Sequence, residues 1–158
     1  MTKTEEFDAT PLSVDETRTL SILADMIIPA SDEYGAPSAG DAAIVEAILT
    51  DSERKRPRLI AALSTLEGLS REAHDVGFGD LSDEQRDGIV ASFRDEHGRA
   101  ADMIAALTVQ CYYRDDRVMI SLGMEPRPPH PDGYVVDQGD WSLLDQVRRR
   151  DEFFRKPD

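Results

Sequence analysis

The stretch from Tyr112 to Tyr134 cannot be regular secondary structure throughout. Four prolines and two glycines interrupt its apolar and aromatic residues. They run from Tyr112-Tyr113 through Leu122-Gly123-Met124 to Pro126-Arg127-Pro128-Pro129-His130-Pro131-Asp132-Gly133-Tyr134. Proline fixes φ and lacks a backbone donor, so such a run neither continues as helix nor sits inside a sheet. It predicts an extended arm lying on a surface. That surface is either the chain's own helical body or another protein.

The residues before it read as helices. Ser13-Val14-Asp15-Glu16 is a capping box, followed by Leu20, Leu23, Ala24 and Ile27 at helical spacing. Ile28-Pro29 stops that helix, because the residue before proline avoids the α region. Tyr34-Gly35-Ala36-Pro37 marks a loop. A second helix starts near Ala39–Asp41, and a third near Pro57, with Leu59, Ile60, Leu63, Leu66 and Leu69 on its apolar face. Gly77-Phe78-Gly79 breaks the pattern. Ser82 to Gln85 forms a second capping box, with Leu81 beside it, ahead of Ile89, Val90 and Phe93. A last long helix runs from Glu96 or Gly98 to Tyr113. Trp141, Leu143, Leu144 and Val147 belong to a short final helix or an extended clasp that reaches Phe153-Phe154. The expected architecture is all-α, with about five helices in an irregular bundle. The expected division is a mobile arm over 1–11, a helical body over 12–114, and an extended arm over 115–158 that includes the terminal helix.

Composition excludes several function classes. At 158 residues the chain is long enough for one domain with a real core. Its formal net charge is −14, which opposes nucleic-acid binding and adsorption to anionic membranes, since both need clustered cations. Such acidity reads as a solvated surface, or as a match for a partner with basic patches. No run of about 18 apolar residues offers a membrane span. Cys111 is the single cysteine, so no internal disulfide and no multi-cysteine metal site can form. Its neighbours Leu107, Val109 and Tyr112 suggest a small buried residue.

No residue pattern points to catalysis by this chain. His74, His97 and His130 lack the helical i, i+3 or i, i+4 partners of a metal site. Asp115-Asp116 reads as a turn rather than as an acid–base pair. Gly77-Phe78-Gly79-Asp80 is too short to cradle a phosphate and follows no strand. No catalytic, cofactor-binding or metal-binding residue is therefore assigned. The apolar series is assigned to a partner interface: Tyr112, Tyr113, Met119, Leu122, Met124, Pro126, Pro128, His130, Pro131, Tyr134 and Trp141. Aromatic and Met side chains favour interface centres, and proline-stiffened chain loses less entropy on docking. Arg148-Arg149-Arg150 is a basic run that could meet acids on the partner.

Four pieces in this order resemble the gluconate 2-dehydrogenase subunit 3 family. They are Leu12-Ser13 through Glu16, Leu20 and Leu23-Ala24-Asp25-Met26-Ile27-Ile28-Pro29; Gly35-Ala36; Phe78 with Leu81-Ser82 and Glu84-Gln85; and Tyr112-Tyr113, Leu122-Gly123 and Gly133-Tyr134. The resemblance covers roughly residues 11–135. It implies a non-catalytic small subunit that binds and stabilises, or helps mature, a large flavoprotein of the glucose-methanol-choline oxidoreductase type. FAD and the oxidation of a sugar, sugar acid or polyol would belong to that partner. Some such complexes add a cytochrome c subunit. Family members often carry a twin-arginine export signal, and Met1 to Phe7 shows none, so the expected location is cytoplasmic. A periplasmic location follows if such a signal was removed or is carried by a partner. A free-standing helical adaptor or chaperone is the alternative from another class.

Overall fold

The computed structural model describes residues 11–151. Two compact units divide at Pro126 and Arg127. Among the described residues there are seven α-helices and no strand. The first unit holds α1 (Val14–Ile27), α2 (Ala42–Asp51), α3 (Arg56–His74), α4 (Asp83–Glu96), α5 (Gly98–Tyr112) and α6 (Asp116–Ser121). The second holds α7 (Asp145–Arg148). The fold is all-α as expected, with more helices than the expected five or so.

Both capping boxes form. Ser13 Oγ accepts from the Glu16 amide at 3.2 Å while Glu16 Oε2 accepts from the Ser13 amide at 2.7 Å. At α4, Gln85 Oε1 accepts from the Ser82 amide at 2.9 Å, and Ser82 Oγ accepts in return. Each box satisfies two amides that a helix start leaves without partners. Helix α3 carries Pro57 in its first turn and ends on Asp75 in the left-handed region. The turn after it is a 3₁₀ segment, Phe78–Asp80, which drives Phe78 fully into the core.

Helix α5 is central and packs against α1, α2, α3 and α4. Ile104, Leu107, Thr108, Cys111 and Tyr112 form its buried face. They meet Leu20 and Leu23 of α1, Ile44 and Ile48 of α2, Leu63 and Leu66 of α3, and Phe93 of α4 in one core. The α1–α2 loop is drawn tight at Gly40: a Cβ there would lie 2.6 Å from the Ser21 carbonyl oxygen, which itself belongs to α1. No described helix is long and apolar enough to cross a membrane.

The region after Tyr113 differs from the expected arm. Residues 116–121 form α6 instead of extended chain, and the first unit continues to Pro126. Asp115 caps α6 by accepting from the Arg117 amide at 2.9 Å. Val118 is fully buried, so a single apolar anchor seats this short helix. In the second unit, Trp141–Leu144 is a 3₁₀ turn that runs into α7. Most of the expected mobile arm, residues 1–10, and the Phe153-Phe154 clasp lie outside the described residues.

Candidate partner-binding surface

Both ends of α2 are gripped by arginines that follow α5. At its start, Arg117 reaches Asp41, the α2 N-cap, with Nη2 to Oδ1 at 2.7 Å and Nη1 to Oδ2 at 3.2 Å. The same guanidinium donates to Asp115 at 3.0 and 2.9 Å. Hydrogen bonds from Arg117 hold the carboxyls of Asp41 and Asp115 below the usual carboxylate range, and the two carboxylates raise Arg117 in turn. At the far end, Arg114 pairs with Asp51 at 2.9 Å. Asp115, one of two adjacent acids in the sequence, is thus a helix cap and an ion-pair partner.

Tyr112 lies on the inside of this edge. It is only 4% exposed, and its hydroxyl donates to the Pro37 carbonyl at 3.0 Å. Burial pushes its phenol up from the ordinary value. Tyr113 packs edge-on against it with ring centroids 5.1 Å apart and is itself 53% exposed. Of the other expected residues in this unit, Leu122 and Met124 are exposed, whereas Met119 and Pro126 are half-buried. Ile120 is exposed as well and was missed. Its position on α6, two residues from the buried Val118, turns it away from the body; a helix over 116–121 is the signal that would have found it.

The second unit carries the rest. Pro128, His130, Pro131, Tyr134 and Trp141 are all exposed, with Trp141 at 60%. The Arg127 guanidinium lies 5.1 Å over the Tyr134 ring and donates to the Gly133 carbonyl at 2.6 Å. The Tyr134 hydroxyl donates back to the Arg127 carbonyl. Gly133 closes this loop with φ +66°, which favours glycine. The loop thereby holds Pro128, His130 and Pro131 outward. Asp140 caps the turn that follows: its carboxylate accepts from the Ser142 hydroxyl at 2.6 Å and from the Ser142 amide at 3.0 Å, which holds it below its ordinary value. Val135, Val136, Leu143, Leu144 and Val147 are exposed too and were not among the expected interface residues. The adjacent Val135-Val136, outside any helical period, is the sequence signal for the first two.

Exposure is concentrated in this part of the chain. Among the described residues, eleven of the fifteen exposed large hydrophobics fall between Tyr113 and Val147. Four of them lie in the first unit, at Tyr113, Ile120, Leu122 and Met124, and seven in the second. The titratable groups are placed differently. Cys111 is buried, and desolvation raises its thiol above the ordinary value. His74 lies 3.3 Å from the Gln85 amide, His97 tilts against Phe93, and His130 is exposed. Among the described residues no three His, Cys, Asp or Glu side chains are placed to hold a metal ion. Arg148 of the basic run pairs with Asp145 at 3.2 Å.

The family model for gluconate 2-dehydrogenase subunit 3 matches residues 14–122. The chain belongs to that family. No curated protein and no solved structure matches it. The gluconate 2-dehydrogenase subunit 3 match begins on the first residue of α1 and ends just after α6, so α6 lies within the family's region. The second unit lies beyond it. Membership in a family of dehydrogenase subunits implies a hetero-oligomer with a catalytic partner.

Proposed function

We propose that this chain is the non-catalytic small subunit of an FAD-dependent sugar or polyol dehydrogenase or oxidase. It binds the catalytic subunit, a flavoprotein of the glucose-methanol-choline type, and stabilises it or helps it mature. Hydride leaves the substrate carbon for the flavin inside that partner, and this chain supplies surface rather than chemistry. The observation that carries the reading is the concentration of exposed apolar side chains between Tyr113 and Val147 in a family of dehydrogenase subunits. The residues in that stretch suit the role. Tyr113, Tyr134 and Trp141 offer large rings with few rotors, and Met124 adapts to irregular partners.

Co-expression tests it. The chain and the flavoprotein should elute as one stable species on size exclusion, with the flavin absorbance following the larger polypeptide. The chain alone should be colourless and without dehydrogenase activity. Activity or bound flavin in the purified single chain contradicts the reading. A complex that forms only transiently and releases active flavoprotein favours a free-standing chaperone instead.

A further inference from the structure

A groove of about 750 Å³ opens between the amino-terminal halves of α3 and α5. Lys55, Arg58 and Arg99 line it, and all three are exposed. Among the described residues none of them lies within ion-pair reach of a carboxylate. Six of the eleven described cations of the first unit have no acid partner, and these three share one groove. Arg18, Arg71, Arg86, Arg114 and Arg117 of the same unit each pair with an acid. On a chain of net charge −14, Lys55, Arg58 and Arg99 bring three cations to one groove. At the start of α5 the His97 carbonyl accepts from the Ala100 and Ala101 amides at 2.8 and 3.2 Å. Asp102 is the carboxylate on the lining, one turn further along α5. The groove is apolar between the charges, at Ala62, Ala100 and Met103.

We infer that this groove docks an acidic peptide segment of the catalytic partner, its carboxylates on Lys55, Arg58 and Arg99 and its apolar side chains on Ala62, Ala100 and Met103. The inference rests on the proposal above that the chain has such a partner. It adds a second contact, opposite in chemistry to the apolar residues after Tyr112. A nucleic acid is the poorer occupant, because the phosphate backbone would meet the repulsion of the whole acidic chain.

The test is binding of the flavoprotein subunit to the full chain at about 50 and about 300 mM salt, which span weak and strong screening. The variant Lys55→Glu/Arg58→Glu/Arg99→Glu should bind at least about tenfold more weakly at low salt and lose most of the salt dependence. All three positions are exposed, so its circular dichroism and melting point should match those of the unsubstituted chain. The charge-keeping variant Lys55→Arg/Arg58→Lys/Arg99→Lys should bind as the unsubstituted chain does. Should the charge-reversed chain fail to fold, competition by a hepta-glutamate peptide on the unsubstituted chain replaces it. That peptide should displace the flavoprotein where a hepta-lysine peptide does not. Unchanged affinity and salt dependence in the charge-reversed variant overturn the inference and leave the proposed function standing. A chain that binds no flavoprotein at all overturns both. An oligonucleotide of equal charge that displaces the flavoprotein better than the glutamate peptide overturns the assignment of a peptide.

Discussion

Arg117 and Asp41, 76 residues apart in sequence, meet in a two-pronged ion pair with Nη2 2.7 Å from Oδ1 and Nη1 3.2 Å from Oδ2. Asp41 is also the N-cap of α2, and Asp115, the other partner of Arg117, is the N-cap of α6. One guanidinium therefore joins two helix starts. Helix α6 has little else to hold it, since Val118 is its only fully buried side chain. A six-residue helix has no stability of its own in water. Arg117→Ala should lower stability by about 1 kcal/mol, the upper range for a half-exposed pair. That corresponds to about 2–4 °C in Tm for a chain of this size. Arg117→Lys keeps the charge and loses the fork, so it should recover less than half of the effect. Thermal melts of the three chains check this.

The same pairing sets an acid limit. Asp41 and Asp115 titrate below their ordinary value of 3.8 because Arg117 hydrogen-bonds to their ionised forms. The unfolded chain therefore takes up protons first as pH falls, and stability falls with it. The contribution is complete above the ordinary carboxylate range and is lost as pH drops through the lowered values. The Tm difference between the unsubstituted chain and Arg117→Ala should be constant from about pH 7 to about pH 5 and should shrink steadily as pH falls below the ordinary carboxylate range. A difference that persists in acid would mean that the Arg117 stem, not its charge, holds α6.

Cys111 is 2% exposed, and desolvation raises its thiol. Thiolate is the reactive form, so both effects oppose modification. A thiol reagent at neutral pH should leave native protein unlabelled over the time in which denatured protein reacts completely. Mass spectrometry after quenching reads the outcome directly.

Phe78 is fully buried although it sits in a 3₁₀ turn. Its amide donates to Glu67 Oε2 at 3.0 Å, and Arg18 and Arg86 both donate to the Gly79 carbonyl beside it. Phe78→Ala should cost about 3–5 kcal/mol, a large share of the roughly 5–15 kcal/mol that stabilises a typical domain. Denaturant titration should show a midpoint far below that of the unsubstituted chain.

The helices were legible because their signals are local. Ser13 with Glu16 and Ser82 with Gln85 announce α1 and α4, and Pro57 sits in the first turn of α3 where proline is tolerated. Helix α6 was not legible, since six residues are too few to display a period and its main restraint, Arg117 on Asp41, acts over a long sequence distance. Tyr112 was grouped with the exposed aromatics after it. It continues the row Ile104, Thr108, Tyr112 on the buried face of α5, and that four-residue spacing was readable. The groove lined by Lys55, Arg58 and Arg99 has no sequence signature, because α3 and α5 bring its two sides together only in the folded chain.

The central claim is that exposed apolar residues after Tyr112 hold the flavoprotein. The most direct measurement is the affinity of that flavoprotein for Tyr113→Ala/Leu122→Ala/Met124→Ala/Trp141→Ala. A few such anchors dominate interfaces, so binding should weaken at least about 100-fold, while the melting point of the chain itself should stay within about 2 °C because these side chains are exposed. Affinity equal to that of the unsubstituted chain would contradict the account.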